Sequence, residues 1–233
     1  MNRALDVATS LIATLLRVPS GLAVGRLGQR PKEPLALYEF EGCPFCRKVR
    51  EALTTLDLEA MIYPCPKGGP RFREEVKTRG GKYQFPYLVD PNTGVEMYES
   101  DAIVRYLFET YGDGNVPLPL RLGPLTTLGA SLPGLVRPGL GIRYRGAKAP
   151  EQPLELWSFE GSPFCRIARE TLCSLEIPYR LHNVGKQSPS REDFIKRSGK
   201  MMVPFLVDPN TGVEMFESAD IVAYLEATYG LAG

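Results

Sequence analysis

Two stretches of this chain repeat each other, and the repetition constrains the fold more than any single residue does. Leu154-Glu-Leu-Trp-Ser-Phe-Glu-Gly-Ser-Pro-Phe-Cys-Arg restates Leu35-Ala-Leu-Tyr-Glu-Phe-Glu-Gly-Cys-Pro-Phe-Cys-Arg, with Ser162 in place of Cys43. Further on, the run from Val203 to Ser218 restates the run from Phe85 to Ser100, and Ala227-Thr-Tyr-Gly answers Glu109-Thr-Tyr-Gly. A chain that says the same thing twice over this length folds as two copies of one unit.

Each copy carries the same succession of patterns. An apolar strand-like run (35–40) leads into Cys43-Pro44-Phe45-Cys46, which opens a helix whose Val49, Ala52, Leu53 and Leu56 share one face. A second strand is expected near 58–63, then a polar turn and a short helix near 71–78 stopped by Gly80-Gly81. Gln84-Phe85-Pro86-Tyr87-Leu88-Val89 reads as a strand, and Asp90-Pro91-Asn92-Thr93-Gly94 as a hairpin turn into 95–98. Glu99-Ser100-Asp101 then caps a helix that runs to Tyr111 and closes at Gly112. The order β-α-β-α-β-β-α is that of a thioredoxin-like fold. The expected class is therefore α/β, two tandem thioredoxin-like domains, each a four-stranded mixed sheet with flanking helices.

The boundaries follow. Residues 1–34 form a leader packing on the first domain (35–112), and 113–153 hold a linker and the leader of the second (154–233). Within the first leader, 4–16 is an apolar run, too short to span a bilayer and interrupted by Asp6. It reads as an amphipathic helix with Leu5, Ala8, Ile12 and Leu15 or Leu16 on one face. A signal peptide is the competing reading. It is weakened by an echo of the leader, Thr126-Thr-Leu-Gly-Ala-Ser-Leu, in the middle of the chain. Pro19, Gly21, Gly25 and Gly28 break the rest of the leader, and they do not spell a nucleotide-binding glycine pattern.

A net charge of +1 points to neither nucleic acid nor an anionic membrane surface. Five cysteines with a single C-x-x-C make neither a secreted disulfide framework nor a zinc ribbon, so no metal is expected. A reducing intracellular compartment, bacterial cytoplasm or plastid stroma, fits best. The one C-x-x-C sits where a strand turns into a helix, so the helix's unpaired N–H groups and dipole favour a thiolate at Cys43. The plain alternative makes Cys43 and Cys46 two small core residues.

With those motifs in view, each copy resembles the glutathione-binding N-terminal domain of glutathione S-transferases and glutaredoxins, over about 35–112 and 154–230. The combination of C-x-x-C, a proline at a strand start and Glu-Ser at a helix start carries the resemblance. It implies that Cys43 attacks a disulfide and Cys46 resolves it or donates a proton. It implies a cis Pro86 that turns Phe85 outward to pair with glutathione, and Glu99 and Ser100 holding the γ-glutamyl end. Arg47 and Lys67 are candidates for the glycyl carboxylate. In the second copy Ser162 excludes two-thiol exchange; Ser162, Cys165, Val203, Pro204, Glu217 and Ser218 make either a glutathione pocket or a degenerate copy kept for packing. Glu99-Ser100 has its own bland reading, a helix cap, and Pro86 and Pro204 a trans proline on an edge strand. Cys65 reads as a loop thiol, Cys173 (about 80° around its helix from Cys165) as packing, and His182 as a strand or surface residue.

The expected function is a glutathione-dependent thiol–disulfide oxidoreductase acting on a disulfide-containing protein or small molecule through Cys43. The alternatives are a glutathione or iron–sulfur binding module, or an interaction protein on a redox fold. Full glutathione S-transferases add an all-helical domain for apolar electrophiles. No such helical stretch is legible here, so conjugation is not implied.

Overall fold

The computed structural model describes residues 3–15, 21–121, 137 and 139–231. Helix α1 (Arg3–Leu15) comes first. The first unit runs β1 (Leu35–Glu39), α2 (Pro44–Thr55), β2 (Ala60–Pro64), α3 (Phe72–Gly80), β3 (Tyr87–Asp90), β4 (Val95–Met97) and α4 (Ser100–Tyr111). A short α5 (Leu118–Arg121) follows. The second unit repeats the order: β5 (Leu154–Ser158), α6 (Pro163–Ser174), β6 (Tyr179–Asn183), α7 (Ser190–Ser198), β7 (Phe205–Asp208), β8 (Val213–Phe216) and α8 (Ser218–Tyr229).

The eight strands make one sheet, ordered β4-β3-β1-β2-β6-β5-β7-β8. Within each unit the first two strands are parallel and the hairpin is antiparallel, as the sequence leads one to expect. The two halves meet through β2 and β6, antiparallel, with Ala60 opposite Leu181 and Ile62 opposite Tyr179. This pairing covers one edge of each unit, β2 and β6, and removes the row of unpaired backbone groups that those edges would expose, leaving β4 and β8 at the ends of the sheet. Alternate strand residues Leu35, Leu37, Leu154 and Leu156 join α2, α6, Tyr179 and Leu181 in a single buried cluster spanning both units. The core is shared.

Each leader crosses to the other unit before returning to its own. Gly21 O accepts from Gly161 N (2.7 Å), and Leu22 O from Lys186 N (2.9 Å). Their counterparts, Gly141 and Ile142, accept from Gly42 N (3.2 Å) and Lys67 N (2.6 Å) in the first unit. Further along, Gly25 N donates to Thr55 O (2.7 Å) and Arg145 N to Ser174 O (2.9 Å), each within its own unit. The straps press on Gly42 and Gly161, just before Cys43 and Ser162. A Cβ on Gly161 would lie 2.8 Å from Gly21 O, and one on Gly42 would meet the Ile142 side chain. Gly21 and Gly141 turn with φ of 68° and 62°, a region that suits residues without a Cβ.

These contacts correct two expectations. The leader does not pack on the first domain alone: α1 lies on α6 of the second unit, where Ser10 Oγ donates to Pro163 O (2.6 Å). Nor is its apolar face the buried one. Ser10, Ala13 and Thr14 are buried, whereas Leu5, Ile12 and Leu15 are exposed. Small residues let the two helices approach closely, and Arg137 anchors the contact by bonding Asp6 (2.6 Å) and Thr9 (2.6 Å). The echo at Thr126 lies outside the described residues.

Candidate thiol and glutathione site

Cys43 is the N-cap of α2 in an extended conformation (φ −82°, ψ 123°), and Pro44 occupies the first turn, where its missing N–H costs nothing. Cys46 N donates to Cys43 Sγ at 3.3 Å. The neighbouring Cys46 thiol and these helix-start N–H groups lower the Cys43 thiol below its ordinary value, against the opposing effect of burial. Burial, its bond to Cys43 and the Cys43 charge push Cys46 well up. Cys43 keeps 4% exposure and Cys46 none, so only the more acidic thiol can be approached.

Two further features reach this turn. β1 and β3 pair with Tyr38 opposite Tyr87, which brings the Phe85–Pro86 bond, cis in this structure, to the end of β1. There the rings of Phe40 and Phe85 meet edge to face at 6.1 Å. From the other side α4 packs on α2, and Lys48 Nζ bonds Asp101 in the first turn of α4. Glu99 has φ of 70°, a conformation costly for a residue with a side chain, and makes no side-chain cap. Its carboxylate instead accepts from Gln84 Nε2 (2.6 Å) at the surface, while Ser100 is buried. The expected side-chain cap is thus absent, and the first N–H groups of α4 lack an acceptor from Glu99.

The second unit keeps this frame with different groups. Ser162 takes the N-cap, accepting from Cys165 N at 3.2 Å. Val203–Pro204 is cis, Glu217 has φ of 65°, and Ser218 is buried. Arg3 of α1 reaches Glu217 at 3.4 Å. Cys165 is fully buried, and burial raises its thiol. Ile167 and Ala219 stand where the first unit has Lys48 and Asp101.

Behind the two turns lies a buried cluster of charge that the sequence reading did not foresee. Arg50 bonds Glu39, Glu41 (3.3 Å) and Glu160 (2.9 Å); its counterpart Arg169 bonds Glu41 (3.0 Å) and Glu160 (2.8 Å). Arg47, proposed from sequence to meet glutathione, is buried here and paired with Glu51 (3.2 Å) and Glu160 (3.6 Å). Lys67 is exposed, its backbone taken up by the strap. Complete burial pushes Glu39 up to about 7, with Arg50 opposing and Glu41 and Glu160 adding to the rise. Strand parity held a clue: Leu35, Leu37 and Glu39 fall on the same face, so a carboxylate was due to point into the core.

The remaining thiols are inward. Cys65 is buried and donates to Tyr63 O (3.4 Å); Cys173 is buried and donates to Gly141 O (3.2 Å). Burial raises both. His182 lies on β6, its ring stacked on Trp157 at 4.2 Å between Glu59 (2.9 Å) and Glu155 (3.2 Å). Among the described residues no three His, Cys, Asp or Glu come together as a metal-binding group, and no helix is long and apolar enough to cross a membrane.

The fold and the paired strand–turn–helix sites define a tandem protein of the thioredoxin-like class. The family profile for the glutathione S-transferase N-terminal domain matches twice, at residues 37–115 and 156–233, more than half of the chain. The chain belongs to that family. No curated protein sequence matches it. Among solved structures it is similar to a glutathione transferase of Bombyx mori, at 27% identity and a TM-score of 0.33 over 36% of this chain and 38% of that one. It is also similar to a trimeric glutathione transferase of Leishmania, at 16% identity and a TM-score of 0.32, covering 86% of this chain and 68% of that one. The chain thus spans well under half the length of the silkworm protein.

Proposed function

We propose that the protein is a glutathione-dependent thiol–disulfide oxidoreductase that works through Cys43. The observation that carries this reading is the asymmetry of the two thiols: one at a helix start, lowered and marginally accessible, the other sealed beneath it and raised. The Cys43 thiolate attacks the glutathione sulfur of a mixed disulfide, the substrate leaves as its thiolate, and Cys43 carries glutathione. A second glutathione thiolate then attacks that sulfur, releasing glutathione disulfide and returning Cys43. Phe85 and Pro86 offer the extended backbone for the cysteinyl part. Ser100 and the uncapped N-terminus of α4 suit the γ-glutamyl carboxylate, with Glu99 beside them. These donors fit an anionic, peptide-like ligand.

The second unit binds glutathione without exchanging it. Ser162 offers a hydroxyl where Cys43 offers a thiolate, and Cys165, Val203, Pro204, Glu217 and Ser218 supply the rest of the cradle. The reaction needs a reduced glutathione pool, which places the protein in a reducing compartment.

The test is reduction of a glutathionylated peptide with glutathione as reductant. Cys43→Ser is expected to lower turnover at least ~100-fold, while Cys46→Ser still loads glutathione on Cys43, seen by mass spectrometry. Unchanged turnover in Cys43→Ser overturns the reading.

A further inference from the structure

We propose that the second unit carries a pocket for a single-ring aromatic amine, at the seam beside β6 and α7. The cavity is about 310 Å³ and is lined by Trp157, His182, Ser190, Asp193 and Arg197 of the second unit, with Glu59 from the first. It shares no residue with the Cys43 turn or the Ser162 cradle, so it is independent of the oxidoreductase reading.

The first unit shows what this space accepts. Helices α3 and α7 are the same length and end at matching left-handed glycines, Gly81 and Gly199 (both φ 80°), which places Phe72 opposite Ser190. The Phe72 ring packs on Tyr63 edge to face at 5.2 Å, and Tyr63 is stacked on Tyr38 at 4.7 Å. The Tyr38 hydroxyl donates to Glu75 (2.6 Å), which Arg79 also holds (3.0 Å), and this ties α3 down over the rings.

The second unit keeps the stack and removes its cover. Trp157 and His182 replace Tyr38 and Tyr63, stacked at 4.2 Å, but Ser190 presents a hydroxymethyl where Phe72 presents a ring. Trp157 has no hydroxyl to reach Asp193, the counterpart of Glu75, and Asp193 bonds Lys196 instead (2.9 Å). Phe194 in place of Val76 returns part of the volume, its ring 5.9 Å from that of Trp157. What stays open exceeds the about 150 Å³ that admits a benzene ring to an apolar cavity, and leaves room for a short side arm. A ring placed as Phe72 is would meet His182 edge to face, a favoured geometry of aromatic pairs.

The rim sets the charge. Glu59 and Asp193 bring two carboxylates against the one guanidinium of Arg197, which Glu214 already holds (2.9 Å). Glu59 is shared between Arg180 (2.6 Å) and His182 (2.9 Å), whereas the Asp193–Lys196 pair is solvent-exposed and worth little. Asp193 is thus the carboxylate that a ligand ammonium can take over at least cost, and the aromatic walls add cation–π attraction.

Trp157 is the chain's only tryptophan, so its emission reports on the pocket directly. The experiment titrates phenethylamine into the full chain at neutral pH and follows that emission, with hydrocinnamate as the ring of opposite charge. A saturable change is expected for the amine, with a Kd of about a millimolar or tighter. Hydrocinnamate is expected to bind at least ~5-fold more weakly. Ser190→Phe, which copies the first unit, should weaken the amine at least ~10-fold by filling the space. Asp193→Asn should narrow the preference for the amine to about twofold or less. No saturable change, an equal affinity in Ser190→Phe, or hydrocinnamate binding as tightly as the amine each overturns the proposal and leaves the reading of Cys43 standing. Should Ser190→Phe lose its near-ultraviolet circular dichroism, Asp193→Asn decides: a narrowed preference supports the proposal, and an undiminished one overturns it.

Discussion

The two halves of this molecule share a frame and differ in their chemistry. Both keep the cis proline, the strained Glu before a buried Ser, and an arginine on the site helix reaching the central carboxylates. Among the positions at which they part, Glu39, Cys43, Lys48 and Asp101 in the first unit are Ser158, Ser162, Ile167 and Ala219 in the second. Backbone frame and side-chain chemistry are thus separable parts. What the second unit lacks is a buried carboxylate, a thiol at the helix start and an ion pair; what it keeps is backbone shape.

The comparison breaks hardest at the shared carboxylates. Glu160 meets three arginines and its counterpart Glu41 meets two. Glu160→Gln leaves a buried excess of positive charge and is expected to cost about 3–5 kcal/mol in urea unfolding, more than Glu41→Gln. Equal losses would mean the cluster is symmetric in energy as well as in place.

A gentler break tests the ion pair that the second unit has replaced. Lys48 is fully buried while the Asp101 side chain is half exposed. Asp101→Ala strands an ammonium and should cost about 2 kcal/mol; Lys48→Ile should cost less. The double variant, which copies the second unit, should be more stable than Asp101→Ala alone. Additive costs in the double-mutant cycle would show that the two residues do not act as a pair.

The smallest effect lies at the seam. Burial raises Glu59, but bonds from His182 and Arg180 outweigh it and bring Glu59 down to about 2. A carboxylate lowered by folding adds stability above its unfolded value near 4.5 and loses it as pH falls towards 2. Glu59→Gln should therefore flatten the acid limb of the stability curve, by no more than ~1 kcal/mol because the group is partly exposed. The mirrored corner carries Pro178, so no matching acid sensitivity is expected there. An acid limb unchanged by the substitution would remove Glu59 from the account.

Most strands and helices were legible because alternation and helical spacing are local, and two copies said the same thing. Boundaries moved by up to three residues: the strand expected from Gln84 begins at Tyr87, after the cis proline. The fusion of two four-stranded sheets was not legible, since Ala60, Met61 and Ile62 look alike whether they pair with a neighbour or with solvent. The face of α1 was misread for a related reason. Apolar residues report where burial is favourable, but Ser10, Ala13 and Thr14 were chosen by the surface of α6. Glu39 was legible in principle, through parity, and its meaning came only with its neighbours.

The antiparallel seam between β2 and β6, with leaders crossing in both directions, is the isologous interface of a twofold dimer drawn with one chain. In a true homodimer every substitution appears twice, so no site can lose its nucleophile while its partner keeps one. Joining the protomers covalently lifts that restriction. It also raises the local concentration of each half to roughly millimolar, so the seam can tolerate changes that would dissociate separate subunits. On the proposed function, this is what lets one half serve as a binding surface while the other keeps the chemistry.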